Sequence, residues 1–201
     1  MDWIAVLAEE ARRNDIILAD QWTAKYGIDR KTVAKALSRC AKRGLVERVT
    51  HKVFVNKLAP NFVPQDLVNV LRPNSYISLE SALWFWGIST QTTALLTCVT
   101  TGKPRDFNGK SFALSYRSIV PRLYSGFIEK RTRYGKYLIA EPEKALLDWV
   151  YLCLQDGYTP DTAELTFKAI DRPKLIESGK RYPRTVLNLL LPALAVQPIA
   201  S

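Results

Sequence analysis

Apolar residues recur at helical spacing up to residue 43 and at strand spacing immediately after it. Trp3, Ile4, Leu7 and Ala11 fall on one stripe, with Glu9, Glu10, Arg12 and Arg13 mostly off it, which predicts an amphipathic helix within residues 2–14. Residues 16–18 are a short apolar step. Asp20 stands where it would cap a brief second helix through Tyr26, and Gly27 ends that helix in a tight turn. Asp29 caps a third helix over residues 30–43, with Val33, Ala36, Leu37, Cys40 and Ala41 as its buried stripe and Gly44 as its stop. Residues 45–50 and 52–56 are β-rich runs that predict a hairpin around His51.

The pattern loosens between residues 57 and 73, where Pro60, Asn61, Pro64 and Pro73 mark a linker with a short helix near residues 65–71. Ser78 then caps a helix whose apolar side is Leu79, Ala82, Leu83 and Trp86, and Gly87 ends it. Residues 95–101 and 112–116 read as strands, and residues 127–133 and 137–140 as a hairpin around Tyr134, Gly135 and Lys136. Pro142 opens a strong helix with Ala145, Leu146, Trp149 and Leu152 as its stripe, and further helical stretches follow through residue 191. These elements predict an α+β chain: a winged helix-turn-helix over residues 1–57, a linker over 58–75, and a mixed α+β domain over 76–201 with a helical tail.

Charge sharpens this picture. Residues 30–57 carry nine basic side chains against Glu47 alone, which is +8 of the chain's net +10. At about 100° per residue, Lys31, Lys35, Ser38 and Lys42 fall within about 60° of one another, across from Val33 and Leu37. A cationic rod of this width suits the major groove of double-stranded DNA. Arg30, Lys31, Thr32 and Lys35 are the expected groove contacts, Ser38 shares their face, Arg39 and Lys42 reach phosphates, and His51 and Lys52 touch the neighbouring groove from the hairpin. Arg30, with its planar fork, is the candidate for a bidentate guanine contact. The plain alternative is a solvated helix face that happens to be basic.

A second basic set comprises Lys103, Arg105, Lys110, Arg117, Arg122, Lys130, Arg131, Arg133 and Lys136, a net of +7 once Asp106 and Glu129 are counted. It reads either as a further DNA contact, as a surface for an acidic protein, or as ordinary solvated loops.

Other chemistry finds little support. Cys40, Cys98 and Cys153 lack paired spacing, which fits free thiols in a reducing cytoplasm. His51 is the sole histidine, so no zinc site is expected, and no cofactor is expected. The nine glycines are too scattered for a phosphate loop. Glu141, Glu143, Asp148, Glu164 and Asp171 read as helix-start or helix-surface acids, not the converging carboxylates of a nuclease, so no enzyme is expected. The acidic N-terminus does not read as a signal peptide. The apolar run at residues 189–196 is too short for a membrane span, contains Pro192, and reads as core packing or a docking edge.

The segments YISLESALWFWGI, VTTGKPRDFNGKSFALSYRSI, Gly126-Phe127 and YLIAEPEKALLDWVYL, from about Tyr76 to Leu154, resemble the AbiEi-like antitoxin family. That family comprises transcriptional regulators of type IV toxin–antitoxin, or abortive-infection, systems, and it carries a winged helix in front of this region. The resemblance implies an autorepressor that binds promoter repeats and counteracts a co-encoded nucleotidyltransferase-like toxin without forming a stable complex. Lys31, Thr32, Lys35 and Arg39 stand where the reader helix would place them. A protein-interaction module with secondary DNA binding, or a nucleic-acid-processing enzyme, are the other readings.

Overall fold

Two short signals set the entry to the basic helix. Gly27 sits at φ 62°, the left-handed region that a Cβ disfavours, and closes the preceding helix. Asp29 then accepts the backbone N–H groups of Lys31 at 2.9 Å and Thr32 at 3.0 Å, satisfying donors that the first helical turn leaves free. In a computed structural model describing residues 1–196, these signals lie within a mixed α+β fold of eight helices and two sheets among those residues. The final residues of the expected second domain, 197–201, lie outside the described part.

The chain opens with α1 (Trp3–Glu10), β1 (Ile16–Leu18), α2 (Ala19–Tyr26), α3 (Arg30–Lys42), β2 (Val46–Arg48) and β3 (Val53–Asn56). The apolar step at residues 16–18 is a strand, and it completes an antiparallel sheet of order β1-β3-β2. Asp20 does not cap α2. The residue before that helix is Leu18, which offers no side-chain oxygen, and Asp20 turns instead to Lys52 at 2.8 Å.

Next come α4 (Gln65–Leu71), β4 (Ser75–Ile77), α5 (Leu79–Phe85), β5 (Leu96–Thr100), β6 (Arg105–Asn108), β7 (Ala113–Ser118), β8 (Phe127–Arg131) and β9 (Lys136–Ala140). The chain ends with α6 (Pro142–Gln155), α7 (Arg172–Gly179) and α8 (Arg184–Val196). The second sheet has the order β6-β7-β5-β4-β9-β8 and mixes parallel and antiparallel pairs. The short helix expected in the linker is α4, and its Leu67 and Val68 are fully buried in the larger core. Ser78 precedes α5 but does not cap it with its side chain, because its hydroxyl donates to Asp148 at 3.0 Å. In α8, Leu190 and Leu194 are buried, so the apolar tail is core packing.

Strand alternation joins the two halves. In the small sheet, Ile17, Phe54 and Val46 face α1–α3 and form one core with Leu7, Trp22, Val33 and Leu37. Val53 and Val55, pointing the other way from the same strand, belong to the larger core, and Ile16 and Leu18 pack beside them. Two polar contacts hold the outer strands. On β2, Glu47 accepts the Ser111 hydroxyl at 2.6 Å and the backbone N–H groups of Lys110 and Ser111 from the β6–β7 turn. Near β1, the Tyr134 hydroxyl from the β8–β9 turn donates to Ala11 O at 3.2 Å.

The Glu47 contact leaves no space at Gly109, where a Cβ would lie 2.3 Å from Glu47 Oε1 and 2.3 Å from the Phe112 ring. Phe112 is buried and cannot swing away. Gly109→Ala is therefore expected to destabilise the protein by about 1–3 kcal/mol, measured by urea unfolding. An unchanged midpoint would mean that this turn is not seated on β2.

Candidate nucleic-acid interface

Helix α3 presents its two sides as its sequence pattern requires. Val33, Ala36, Leu37 and Cys40 are buried, whereas Arg30, Lys31, Thr32, Lys35, Ser38, Arg39 and Lys42 are all exposed. Because α3 covers the small sheet from the face opposite the larger core, its outer side points away from the second unit. Among the described residues, Lys31, Lys35, Arg39 and Lys42 take part in no ion pair. Arg39 and Lys42 also stand in the last turn, where cations oppose the negative end of the helix dipole.

Arg30 and Lys52 are differently placed. Both reach Asp20, Arg30 at 3.7 Å and Lys52 at 2.8 Å, and the Lys52 hydrogen bond holds the Asp20 carboxyl below its ordinary pKa. The expected guanine reader is thus tied loosely to an acid that does not cap its own helix. Lys52 and His51 are exposed in the β2–β3 turn, which is shaped by Thr50: its hydroxyl accepts the N–H groups of Lys52 and Val53, each at 3.1 Å.

The second basic set does not gather into one surface. β6 and β8 are opposite edges of the six-stranded sheet, separated by five steps of about 4.8 Å, or about 24 Å. Lys103, Arg105 and Lys110 belong to the β6 side, and Lys130, Arg131, Arg133 and Lys136 to the β8 side. Several are engaged within the fold. Arg117 pairs with Asp156 through two hydrogen bonds of 2.8 and 2.7 Å, and Lys136 pairs with Glu129 at 2.7 Å. Arg131 lies 3.8 Å from Glu129, and Arg122 donates to Arg181 O. Arg105 lies over Phe107, Arg133 over Tyr134, and Lys130 over Phe85 and Trp86. Only Lys110 joins the first set, lining with Arg48 and Lys57 a cleft of about 590 Å³ beside the end of α3.

Glu143 stands in the first turn of α6, as expected of a helix-start acid, but it is buried, and so is Asp148, which was expected on the helix surface. Glu143 is 3% exposed, pairs with Lys174 at 3.2 Å and accepts the Asp171 N–H at 2.9 Å. Asp148 is fully buried and accepts from Tyr76 at 2.8 Å, Ser78 at 3.0 Å, Tyr182 at 2.7 Å and Lys144 at 2.6 Å. The i,i+4 spacing of Lys144 and Asp148 on a helix was the available signal. Burial pulls the Lys144 pKa down, opposed by Asp148, and burial together with the Asp148 charge pushes the Tyr76 and Tyr182 phenols well above their ordinary value. Lys144 also donates to Leu123 O at 2.7 Å and Tyr182 at 2.6 Å, so all its protons are engaged and no lone pair is offered to a substrate.

No family model matches this sequence, and no curated protein matches it. Among the described residues, no helix is long and apolar enough to cross a membrane.

The Lys144–Asp148 network is an internal brace. Lys144→Met should cost about 3–5 kcal/mol by stranding a buried carboxylate, read as a drop in melting temperature. A stable variant would show that Asp148 is held by the tyrosines alone.

Proposed function

We propose that this chain is a transcriptional regulator that binds double-stranded DNA through α3, its first unit being a winged helix-turn-helix with the β2–β3 turn as wing. The observation that carries this reading is the exposed, unpaired face of Lys31, Lys35, Ser38 and Lys42 opposite a fully buried stripe. The element order helix, strand, two helices and hairpin supports it. So does the cap at Asp29, which places Lys31 and Thr32 at the amino end of the helix. Phosphates supply the charge that this face lacks, and Arg48 and Lys110 extend the cationic track towards the second unit, past Lys57, which pairs with Glu47 at 3.5 Å.

The resemblance of residues 76–154 to AbiEi-like antitoxins makes the specific reading an autorepressor of promoter repeats that counteracts a nucleotidyltransferase-like toxin without a stable complex, in the cytoplasm. A second reading, an interaction module, is favoured by one observation: Trp84 and Phe85 are 52% and 41% exposed and border a cleft of about 220 Å³. Deleting residues 1–57 cannot separate the two readings, because it would uncover the buried faces of the larger core against which Val53 and Val55 pack. Charge reversal on α3 can, since it leaves both cores intact.

Lys31→Glu with Lys35→Glu is expected to abolish the shift of promoter DNA while leaving the melting temperature unchanged. Normal DNA binding by that double variant would refute α3 as the reader, and toxin protection that survives it would assign protection to the second unit. Neutralising about five phosphates predicts a log–log slope of about −4.5 for affinity against salt, and a flat response would count against groove binding.

Asp20→Asn releases Arg30 and Lys52 and should tighten DNA binding several-fold at low salt. Weaker binding in a titration would mean that Asp20 positions these two cations instead of competing for them.

A further inference from the structure

Two carboxyl groups meet where the first unit joins the second. Asp15, leading into β1, and Asp66, in the first turn of α4, are 2% and 6% exposed, line one cleft and lie within interacting reach of each other. The Oδ2 atom of each has no hydrogen-bond partner among the described residues, so a proton placed between them would satisfy both. The backbone around them is held by Asn56 N–H, which donates to Asp15 O at 2.7 Å, and by Asp66 N–H, which donates to Val63 O at 3.1 Å, while the Thr132 hydroxyl donates to Asp66 Oδ1. Two carboxylates in contact cannot both ionise without a counter-charge.

Among the described residues, no cation beside the pair is free to supply that charge. The cleft beside the pair, about 390 Å³, is bordered by Glu10 and Lys25 from the first unit and by Tyr134 and Lys136 from the second. Lys25 is committed to Glu10, which also accepts from Tyr26 at 2.9 Å, and Lys136 is committed to Glu129. Tyr134 donates to Ala11 O. Tyr137, the remaining ionisable group that senses Asp66, has its phenol pushed up by burial and by the Asp66 charge. Among the described residues, no third His, Cys, Asp or Glu joins the pair in a metal-holding group.

We propose that a proton carried by Asp15 and donated to the Asp66 carboxylate latches the N-terminal unit to the second unit, and that its loss loosens this junction. Burial first, and then the contact with Asp66, push the Asp15 pKa up to about 7 from the ordinary value of 3.8. With the junction open, Asp15 returns to that ordinary value. Between about 4 and about 7 the closed junction therefore holds one proton more than the open one. The latch is fully present below that window, weakens as pH rises through it, and is constant above it. It rests on the geometry of the junction and not on what the first unit binds.

The test is amide hydrogen exchange on the full chain, with protection factors corrected for intrinsic rates, followed at Asn56 between pH 5 and pH 8. In the wild type, the opening equilibrium should rise about tenfold per pH unit from pH 5 to 7, the slope of one proton, and then level off. Asp15→Asn removes the titrating carboxyl and should give a flat profile. Asp66→Asn leaves Asp15 buried but faces it with a donor, so its rise should level off at lower pH than in the wild type, and this shift suffices if Asp15→Asn misfolds. A flat wild-type profile, or identical profiles in wild type and variants, would overturn the latch. Loss of the wild-type slope on adding millimolar Mg²⁺ would also overturn it, by making a cation the link.

Discussion

Val53, Phe54 and Val55 cannot all point the same way, because successive residues of a strand face opposite sides. Phe54 enters the core beneath α1–α3, and its two neighbours enter the larger core on the other side. The helices and the second unit must therefore lie on opposite faces of one small sheet. Each buried valine contributes about 1.5–3 kcal/mol to this arrangement, so the attachment is part of folding and not a loose tether. The same alternation sends the far side of α3 into solvent. Lys31 and Lys35 are accessible because Val53 and Val55 have placed the second unit behind them.

Acid placement then decides which of the many cations remain available. Asp20 draws in Arg30 and Lys52, Glu129 draws in Lys136 and Arg131, and Asp156 draws in Arg117. Among the described residues, no acid forms an ion pair with Lys31, Lys35, Arg39 or Lys42 on the outer face of α3. A net charge of +10 therefore becomes a local field at α3 and not a uniform one. Exposed pairs such as those on Asp20 contribute little to stability and leave their cations open to competing anions.

The helices, the β2–β3 hairpin and the cationic face could be read from the chain because periodicity and caps are local. Asp29, Gly27 and Gly44 act within a few residues of themselves. What escaped the reading depended on contacts far apart in sequence. The residues at 16–18 are too few to declare a strand until Val55 and Phe54 lie beside them. Asp20 has the chemistry of a cap, but Lys52 arrives from 32 residues away. Asp148 looks like a surface acid on a helix until Tyr76, Ser78 and Tyr182 converge on it. The second basic set is continuous in sequence and divided in space, because strand order carries β6 and β8 to opposite edges. The four-residue run VFVN was the one local hint of the junction, since a strand apolar on both faces needs cover on both.

The junction has polar clamps at both of its outer strands, and they answer protons in opposite directions. Burial works to raise the Glu47 pKa, but hydrogen bonds from Ser111 and the backbone of Lys110 and Ser111, with the charge of Lys57, hold it below its ordinary value of 4.5. Its contribution is present above that value and is lost only as pH falls through the depressed one. The Asp15–Asp66 contact depends on a proton and weakens in the other direction. Both clamps are closed together from mildly acidic conditions up to about pH 7. Above that range the carboxyl contact loosens while the Tyr134–Ala11 contact, the β2 side and the valines of β3 still hold. The two units stay joined, because the apolar contacts at the centre of the junction do not titrate.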